Sequence, residues 1–532
     1  MTERLTAPFP FHRPPGPRSW PLALMSGALA VLVACGRGAG DEGPPSSAAL
    51  TATCRALRGQ SFGDVTVTDA RRIEASSTNA SGFCQVSASA APFLDIEVDV
   101  PDDWSGRLWQ QGGGGFDGRI PSAVTTDTAG AITAVSPALA RKAAIYAASN
   151  GGNRAAIPWQ AAPAVWADGT ADGRASGDDY AYAAIWKTSR FARSMARAFF
   201  AKLPSHSYFN GCSNGGRNAY IAAQRWPEDY DGIVAGCETM DSAGQTAAWM
   251  SVGSLAATPS ALTPAQARAS WSAAVTACDA LDGATDGVIG NPGACSFDPA
   301  ALRCGAATAS TDGALCLSDA QVALLHSMLS DLRLPDGSLV YARYSWADFS
   351  GSRAFGFLAS GFALLATDDA GWLTPDRQAL FDLGRDYYVL ASGLSRRGAD
   401  HDKVAIAAYV ASGKKLISWH DGSDNLLSAN DHLRNYGTMV GIAHSLGLAD
   451  PDTSTRFFVV PGGSHAQGHA LTEVDWASAI MDWVERGTAP VQLTYTFSTG
   501  TTTRTMPVCQ HPRYPRFNGS GDVNSATSYT CT

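Results

Sequence analysis

Two patterns of hydrophobic and polar positions alternate along residues 94–238. Segments such as "LDIEVDV" and "KAAIYAASNGG" carry period-two alternation or short apolar runs, which predict β-strands. "DYAYAAIWKTSRFARSMARAFF" and "RNAYIAAQRW" space their apolar residues along one face of a helix, and the second is followed by Pro227, which ends it. Strands joined by helical crossovers predict a mostly parallel sheet covered by helices on both faces, the α/β class.

The alternation stops over residues 239–404, where loops rich in glycine, serine and alanine, four cysteines and short helices replace it. It resumes with "GKKLISWHDGSD" and "TRFFVVPGGSHAQGH", each a strand followed by a polar loop, and the amphipathic helix "DWASAIMDWVERG" closes the pattern. An irregular block between two halves of one sheet is most simply an inserted lid. We therefore predict a catalytic domain over residues 51–238 and 405–532, interrupted by a lid over residues 239–404.

The first 35 residues are patterned as an export signal. Basic residues precede the apolar run "PLALMSGALAVLVAC", which is too short to span a bilayer as a stable helix. "LVAC" resembles a bacterial lipobox, in which Cys35 would become the lipidated first residue. The alternative is an ordinary signal peptide cut within the linker over residues 36–50. Both predict an exported protein, whether periplasmic, anchored in the outer membrane as a lipoprotein, or extracellular.

Composition and charge indicate which kinds of binding partner to expect. The 532 residues are 45% hydrophobic, as in soluble globular proteins, and the 39 Lys and Arg against 48 Asp and Glu give a net charge of −9. Without any run of Lys and Arg, a nucleic-acid partner is not expected. We expect a monomer that meets a membrane only through a lipid on Cys35.

The cysteine count also indicates export. Eleven cysteines less Cys35 leave ten, an even number that suits disulfides in an oxidising compartment. Connectivity cannot be proved from sequence, but nearest-neighbour pairing predicts four bonds: Cys54–Cys84, Cys278–Cys295, Cys304–Cys316 and Cys509–Cys531. Cys212 and Cys237 remain.

A candidate nucleophile lies between a predicted strand and a predicted helix. Residues Gly211 to Gly215, "GCSNG", match G-x-S-x-G, a motif that is weak alone but stronger in a strand–turn–helix setting. There the glycines allow a sharp turn that exposes the hydroxyl of Ser213. A plain glycine-rich turn is the alternative.

A serine nucleophile needs a base and an acid that orients it, which follow in the order Ser, Asp, His in this architecture. Asp424 and His465 each lie in a loop after a predicted strand, and we predict that they complete the triad. Asp421, His420 and His469 are nearby rivals, and a surface turn explains any single one of these residues.

The oxyanion of the tetrahedral intermediate needs two N–H donors. One should be the amide of Asn214, directly after the nucleophile. The other should come from the glycine loop, Gly112–Gly115, and Gly114 and Gly115 are our candidates. A merely flexible loop is the alternative.

The lid contains a second cluster of candidate ligands. "CDALDGATDGVIG" places Asp279, Asp282 and Asp286 in one glycine-containing loop. Hard oxygen ligands of this kind suit Ca²⁺, although the spacing is not that of an EF-hand. A turn with solvated aspartates is the alternative on physical grounds.

Taken together, these residues resemble the tannase/feruloyl esterase family of secreted α/β-hydrolases. The resemblance covers most of the chain from about residue 50. It is carried by "GCSNGGR", "WPEDYDGIVAG", "HDGSD", "VVPGGSH", "DWVERGTAP" and the tail from "MPVCQHPRYPRFNGSGD" to "SYTC". It implies an α/β-hydrolase fold with a large inserted lid that closes over an aromatic ester, and the triad and oxyanion hole given above.

The resemblance also implies a structural Ca²⁺ in the lid, with the carbonyl groups of Ala284 and Val288 completing the aspartate ligands, and no organic cofactor. The family's cysteine before the nucleophile usually bonds to a cysteine directly after the catalytic histidine, but here Ala466 follows His465. Because Cys212 and Cys237 end neighbouring predicted strands, their Cα atoms could reach the roughly 5.5–6 Å of a disulfide. We predict that the bond has moved to this pair; two buried free thiols are the alternative.

The expected function is a secreted serine esterase that cleaves feruloyl, galloyl or terephthalate monoesters through an acyl-enzyme. Arg343 or Arg353 could pair with a substrate carboxylate, and the aromatic residues of "YARYSWADFSGSRAFGFLASGFALL" could enclose a substrate ring. Lid core for the rings and surface charge for the arginines are the alternative for any single residue. A non-catalytic, calcium-stabilised binding protein and a peptidase on the same scaffold are the alternatives.

Overall fold

A computed structural model describes residues 45–77, 79–160, 165–256, 259–307, 310 and 312–532. The predicted signal segment over residues 1–35, including Cys35, lies outside the described residues. The predicted linker over residues 36–50 overlaps the first helix, in which residues 47–50 are helical and Leu50 is 3% exposed. The folded domain therefore starts earlier than residue 51, because an apolar side chain of this segment joins the core.

The strands, numbered in chain order, lie on either side of the predicted lid, except for β11 and β12, which lie within it. They are β1 Ser61–Phe62, β2 Val65–Ile73, β3 Phe83–Ala90, β4 Leu94–Pro101, β5 Arg107–Gln111, β6 Val124–Thr126, β7 Ile132–Val135, β8 Ile145–Ser149, β9 His206–Cys212, β10 Gly232–Gly236, β11 Leu332–Arg333, β12 Leu339–Tyr341, β13 Lys415–Asp421, β14 Thr455–Val460, β15 Gln492–Thr499, β16 Thr502–Gln510, β17 Pro515–Phe517 and β18 Tyr529–Cys531.

The α-helices are numbered in the same way, and a π-helical turn, Asp179–Ala183, joins the third to the fourth. They are α1 Ser47–Ala56, α2 Pro137–Ala140, α3 Ala171–Asp178, α4 Ala184–Phe200, α5 Asn214–Arg225, α6 Ser242–Ala256, α7 Pro264–Cys278, α8 Asp319–Met328, α9 Phe355–Thr367, α10 Pro375–Ala379, α11 Leu383–Arg397, α12 Lys403–Ala411, α13 Ala429–Ser445 and α14 Trp476–Arg486.

One twelve-stranded sheet organises the domain, in the order β1-β2-β3-β4-β8-β5-β9-β10-β13-β14-β16-β15. The six strands from β8 to β14 in this order are mutually parallel, and antiparallel strands extend the sheet at both edges. Parallel strands need crossovers, which the helices supply. The predicted mostly parallel sheet is thus confirmed at its centre, and the fold is that of an α/β-hydrolase.

Both faces of the central strands are covered. Tyr208 and Phe209 are consecutive in β9 and point to opposite faces, and each is at most 1% exposed. Tyr208 packs in a cluster with Trp476 and Ile480 of α14, whereas Phe209 packs with residues of α5, α12 and α13. Burial on both faces explains why these strands read as continuous apolar runs.

The segment between β10 and β13 adds no strand to the large sheet within the described residues, as an insertion predicts. It holds helices α6 to α12 and the hairpin of β11 and β12. One helical stretch among the described residues, Phe349–Thr367, is apolar and long enough to cross a membrane, but 67% of it is buried inside the protein. It forms the core of the lid, because an all-round apolar helix needs partners on every side.

Candidate active site

Ser213 occupies a sharp turn between β9 and α5. Its backbone has φ 58° and ψ −126°, a conformation that residues with a side chain rarely adopt. A Cβ on Gly211 would come within 2.3 Å of the Gly215 carbonyl group, and one on Gly215 within 2.7 Å of the Gly113 oxygen. Only glycine fits at these two positions, so the motif produces the strained turn that presents the serine.

The predicted acid and base lie at the same edge of the sheet as the serine. Strands β9, β10, β13 and β14 are consecutive and parallel, so the loops that follow them meet at their carboxyl ends. Asp424 follows β13, His465 follows β14, and His465 Nδ1 lies 2.8 Å from Asp424 Oδ2. Asp424 is fully buried, whereas His465 and Ser213 are partly exposed.

Asp424 is ionised although it is buried. Burial alone would raise the pKa of this carboxyl, but the His465 and His420 side chains lower it below its usual range. An ionised carboxylate only accepts hydrogen bonds, so His465 donates through Nδ1 and keeps Nε2 free as a base.

The rival residues are placed differently. Asp421 ends β13 and accepts the N–H of Gly468 at 3.1 Å, and burial raises its pKa. His469 Nε2 lies 3.2 Å from the Gln111 amide, and burial and His465 lower its pKa to about 4. His420 contacts Asp424 but is fully buried. Only His465 combines contact with Asp424 and access to solvent among these residues.

The glycine loop packs onto the turn that holds the serine. A Cβ on Gly112 would lie 2.7 Å from the Cα of Gly215, so the two backbones touch. Gly114 and Gly115 face open space, because a Cβ on either would meet no atom within 4 Å. This places the loop beside the start of α5, where the amide of Asn214 is one of the free donors of a helix N-terminus.

A buried polar cluster, not predicted from the sequence, joins the loop to α5. The Asn214 side chain donates to Asp117 through Nδ2 and accepts from Arg217 Nε at 2.8 Å. Burial raises the pKa of Asp117 to about 7, against the lowering effects of Asn214 and Arg217. In the sequence, the only indication of this cluster was Arg217, the arginine of "GCSNGGR".

Backbone strain concentrates around these loops. Ser213, Cys237, Ala466 and Asp117 all have positive φ angles although none is glycine. Each costs on the order of 1–3 kcal/mol and persists only where the surroundings impose it. Such strain is typical of sites whose side chains must be held in a fixed arrangement.

The structure joins the ten cysteines beyond Cys35 into five disulfides. The pairs are those predicted from the sequence, including Cys212–Cys237 with a Cα–Cα distance of 5.1 Å; the others are Cys54–Cys84, Cys278–Cys295, Cys304–Cys316 and Cys509–Cys531. This many disulfides is typical of a protein that works outside the reducing cytoplasm.

The three aspartates of the predicted calcium loop follow α7. Asp279 accepts the N–H groups of Asp286 and Gly287, and Asp286 Oδ2 accepts from Arg504 Nη2 at 2.5 Å. Within the described part of the chain, no three His, Cys, Asp or Glu side chains group closely enough to hold a metal ion. Hydrogen bonds and the ion pair thus close this loop.

Most aromatic residues of the lid block expected to enclose a substrate are buried in the lid core. Trp346, Phe355 and Phe362 are at most 6% exposed and belong to one hydrophobic cluster in the lid. Phe357 is half-buried. Arg343 and Arg353 are exposed. These three rings follow the alternative given above, that the aromatic residues of this block form the core of the lid.

The fold, the strained turn that carries Ser213 and the Asp424–His465 pair at the same sheet edge are typical of a serine hydrolase of the α/β-hydrolase class. The sequence matches the family described as "Tannase and feruloyl esterase" over residues 78–356 and 399–532. The chain belongs to this family, and it is a carboxylic ester hydrolase.

Individual relatives cover nearly the whole chain. It is 29% identical over 546 residues to mono(2-hydroxyethyl) terephthalate hydrolase of Piscinibacter sakaiensis, with 87% of each chain covered. It is 29% identical over 475 residues to a probable feruloyl esterase of Arthroderma benhamiae, with 82% of each covered. The crystal structure of feruloyl esterase B from Aspergillus oryzae superimposes with a TM-score of 0.71 at 20% identity, covering 91% of this chain and 100% of that one.

Proposed function

We propose that the protein hydrolyses carboxylic esters of aromatic acids through an acyl-enzyme on Ser213. The observation that carries this proposal is the contact of the buried, ionised Asp424 with His465 at the same sheet edge as the strained serine turn. The non-catalytic binding protein is not favoured, because the turn, the Asp–His pair and the glycine loop are all intact.

The arrangement supports acyl transfer in two steps. His465 Nε2 takes the proton of the Ser213 hydroxyl as its oxygen bonds to the ester carbonyl carbon. The oxyanion accepts N–H bonds from Asn214 and the Gly112–Gly115 loop, and the alcohol leaves with the proton from Nε2. Water then attacks the acyl-enzyme with the same base, releasing the acid and restoring Ser213. Asp424 stabilises the imidazolium form of His465 at each step.

The aromatic acid is supported by the relatives, whose names give terephthalate monoester and feruloyl ester as their substrates. The lid block "YARYSWADFSGSRAFGFLASGFALL" offers the half-buried ring of Phe357 and the exposed guanidinium groups of Arg343 and Arg353. Either arginine could pair with a free carboxylate of a terephthalate monoester.

The test is hydrolysis of methyl gallate, methyl ferulate and mono(2-hydroxyethyl) terephthalate by the purified protein, beside the Ser213→Ala variant. Turnover of one ester that the variant loses supports the proposal and identifies the acyl group. Cleavage of a nitrophenyl ester alone would contradict the substrate class, and cleavage of peptides but not esters would favour a peptidase.

We further propose that the lid loop binds a structural Ca²⁺ through Asp279, Asp282 and Asp286 with the carbonyl groups of Ala284 and Val288. Binding would require the three carboxylates to move closer together than they are in this structure and to exchange hydrogen bonds for the ion. Burial and the neighbouring carboxylates of Asp286 and Asp279 raise the pKa of Asp282 to about 6, so a cation would relieve repulsion there. The two carbonyl oxygens accept no hydrogen bond from the described residues. Bound Ca²⁺ would supply charge neutralisation in the loop and no chemistry at the triad.

We also propose that the mature chain is an exported monomer carrying a lipid on Cys35. The lipobox-like "LVAC" supports the lipid, and the net charge of −9 gives no reason to expect nucleic acid. Intact mass and detergent partitioning of the cell-derived protein and its Cys35→Ser variant test the lipid. Light scattering after size exclusion tests the monomer.

A further inference from the structure

A line of hydrogen-bonded side chains continues behind Asp424, on the side away from His465. His420 Nε2 lies 3.2 Å from Asp424 Oδ2, and His420 Nδ1 lies 2.9 Å from Nδ1 of His432. His432 Nε2 is in turn 2.6 Å from the hydroxyl of Tyr220, which is 2.7 Å from that of Ser418. All four residues behind Asp424 are completely buried.

The carboxylate of Asp424 is fully occupied. Oδ1 accepts the backbone N–H groups of Leu426 and Leu427, each at 2.8 Å. Oδ2 accepts from His465 Nδ1, and His420 Nε2 lies 3.2 Å from it. These four donors hold both oxygens, so the direction in which Asp424 faces His465 depends on each of them.

With His420 taken as a neutral ring, the direction of every bond in the line follows from Asp424. Nε2 of His420 faces only acceptors, the Asp424 carboxylate and the Leu427 carbonyl oxygen at 3.3 Å, so it must carry a proton. In a neutral ring, Nδ1 of His420 is then an acceptor, and Nδ1 of His432 must donate to it. Burial lowers the pKa of His432 well below its usual range, and the nearby His420 and His401 side chains lower it further. The His432 ring is therefore neutral.

The remaining bonds continue in the same sense. Nε2 of neutral His432 is an acceptor, so the Tyr220 hydroxyl donates to it. Burial raises the pKa of Tyr220 well above its usual range, so the phenol keeps its proton. Ser418 can then donate to Tyr220. The line runs from Ser418 to Asp424 with every donor pointing toward the carboxylate.

We propose that His420 is a positioning residue for the active site: its Nε2–H group, held in place through His432 and Tyr220, fixes the orientation of Asp424 toward His465. The proposal rests on the proposed esterase function, in which Asp424 orients the base. His420 does not touch the reacting atoms and acts through Asp424 alone.

Other titratable groups face this network. His469 and His401 have pKa values lowered to about 4 and about 3, and burial raises the pKa of Tyr344, so these groups stay neutral near pH 7. Asp421, whose pKa burial and Asp424 raise, is the other carboxyl next to Asp424. These four residues are unchanged in the variants described below. Their effect on the pH profile of kcat/KM is therefore the same in every variant.

The experiment compares the full-length mature protein with its His420→Leu, His420→Gln and Tyr220→Phe variants. It measures kcat, KM and the pH profile of kcat/KM on the ester that the wild type cleaves. Titration of Ser213 with a fluorophosphonate gives the concentration of folded active sites. Glutamine is the conservative variant, because its amide nitrogen can take the place of Nε2.

We expect His420→Leu to lower kcat about 10- to 100-fold and to leave KM within about twofold. Without the His420 donor, more negative charge on Asp424 faces His465, which raises the pKa of the imidazole. The acid limb of kcat/KM should therefore move to higher pH. His420→Gln should recover most of kcat and return the acid limb of kcat/KM to its wild-type pH. Tyr220→Phe should move the limb in the same direction with a smaller loss, about two- to fivefold.

Wild-type kcat and an unmoved limb in His420→Leu would overturn the proposal. So would a loss of kcat that leaves the limb in place and that glutamine does not recover, since this is the pattern of a purely structural residue. If His420→Leu does not fold, an unmoved limb in Tyr220→Phe overturns it. If the wild type cleaves no ester, the proposed function is contradicted instead. The pH dependence of the rate of fluorophosphonate labelling then gives the acid limb for each variant.

Discussion

The backbone nitrogen of Ser213 lies 3.1 Å from the sulfur of Cys237, which is disulfide-bonded to Cys212. Cys212 pairs in register with Gly236 across β9 and β10, and the Ser213 nitrogen also lies 3.1 Å from the Gly236 oxygen. The turn that carries the nucleophile is thus tied to the end of the next strand by one covalent bond and by its own amide. Ser213 and Cys237, the residues after each strand end, both have positive φ angles.

Removing this disulfide should loosen the serine turn. In Cys212→Ser/Cys237→Ser, we expect a loss of about 2–4 kcal/mol in the free energy of unfolding, because the unfolded chain is no longer cross-linked. We also expect kcat to fall at least about tenfold, since the strained turn loses its support. Denaturant unfolding and steady-state kinetics measure the two effects.

The matched control is Cys54→Ser/Cys84→Ser, which opens a disulfide of similar separation in the chain, 30 residues against 25, between α1 and β3. It should lose stability and keep kcat. Equal kcat in the two double variants at a temperature where both are folded would contradict a special role for Cys212–Cys237.

Gly211→Ala should prevent the serine turn from forming. Its Cβ would lie 2.3 Å from the Gly215 backbone, so the glycine loop or the turn must move. We expect a loss of about 1–3 kcal/mol in stability and at least about 100-fold in kcat/KM. The control is Gly437→Ala in α13, where a Cβ meets no atom within 4 Å and alanine favours the helix. A Gly211→Ala enzyme with wild-type kinetics would show that the turn is less crowded than described.

Asp117 should make stability fall as the pH rises. Burial raises its pKa to about 7, above an unfolded value of about 3.9. Between these values the folded state holds a proton that the unfolded state has lost. This contribution to stability is therefore complete below about pH 4 and is lost as the pH rises to about 7.

Asp117→Asn removes this titration. The Tm difference between the variant and the wild type should increase in favour of the variant from pH 4 to pH 8, by roughly 2 °C or more. The exposed Asp103→Asn is the control and should show a constant difference. A Tm difference for Asp117→Asn that does not change with pH would mean that Asp117 is ionised in the folded state throughout.

Calcium should stabilise the lid without entering the reaction. If the proposed loop binds Ca²⁺, adding EGTA to the purified protein should lower Tm, and 1 mM Ca²⁺, about 10- to 1000-fold above a Kd of roughly 10⁻⁶–10⁻⁴ M, should restore it. Asp282→Asn should abolish this response, while Asp336→Asn, an exposed loop residue, should keep it. A Tm that does not respond to either reagent would show that the hydrogen bonds and the Arg504–Asp286 ion pair close the loop without Ca²⁺.

The sequence was sufficient to predict the parts of the site that follow from local rules. Ser213, Asp424 and His465 each follow a strand that its apolar run reveals, and the edge of a parallel sheet brings such loops together. The glycine loop was predicted for the same reason. These features depend on patterns within ten residues of the chain.

The features that were missed depend on contacts between distant segments. Tyr220 and His432 meet although they are 212 positions apart, because α5 and α13 pack on the same face of the sheet. Nothing in either helix pattern marks these two residues as polar partners inside the core. The sequence left the role of the lid aromatics open for a related reason: the apolar content of α9 predicts burial, but not whether a ring faces the substrate or another helix.

The proposed reaction depends on an acyl group carried by Ser213. Intact-mass and peptide analysis after an acid quench during turnover of an aromatic ester tests for this intermediate. We expect the peptide containing Ser213 to gain the mass of the acyl group less one hydrogen, and we expect Ser213→Ala to gain none and not to turn over. An acyl group on any other residue, or full turnover by Ser213→Ala, would contradict the proposed reaction.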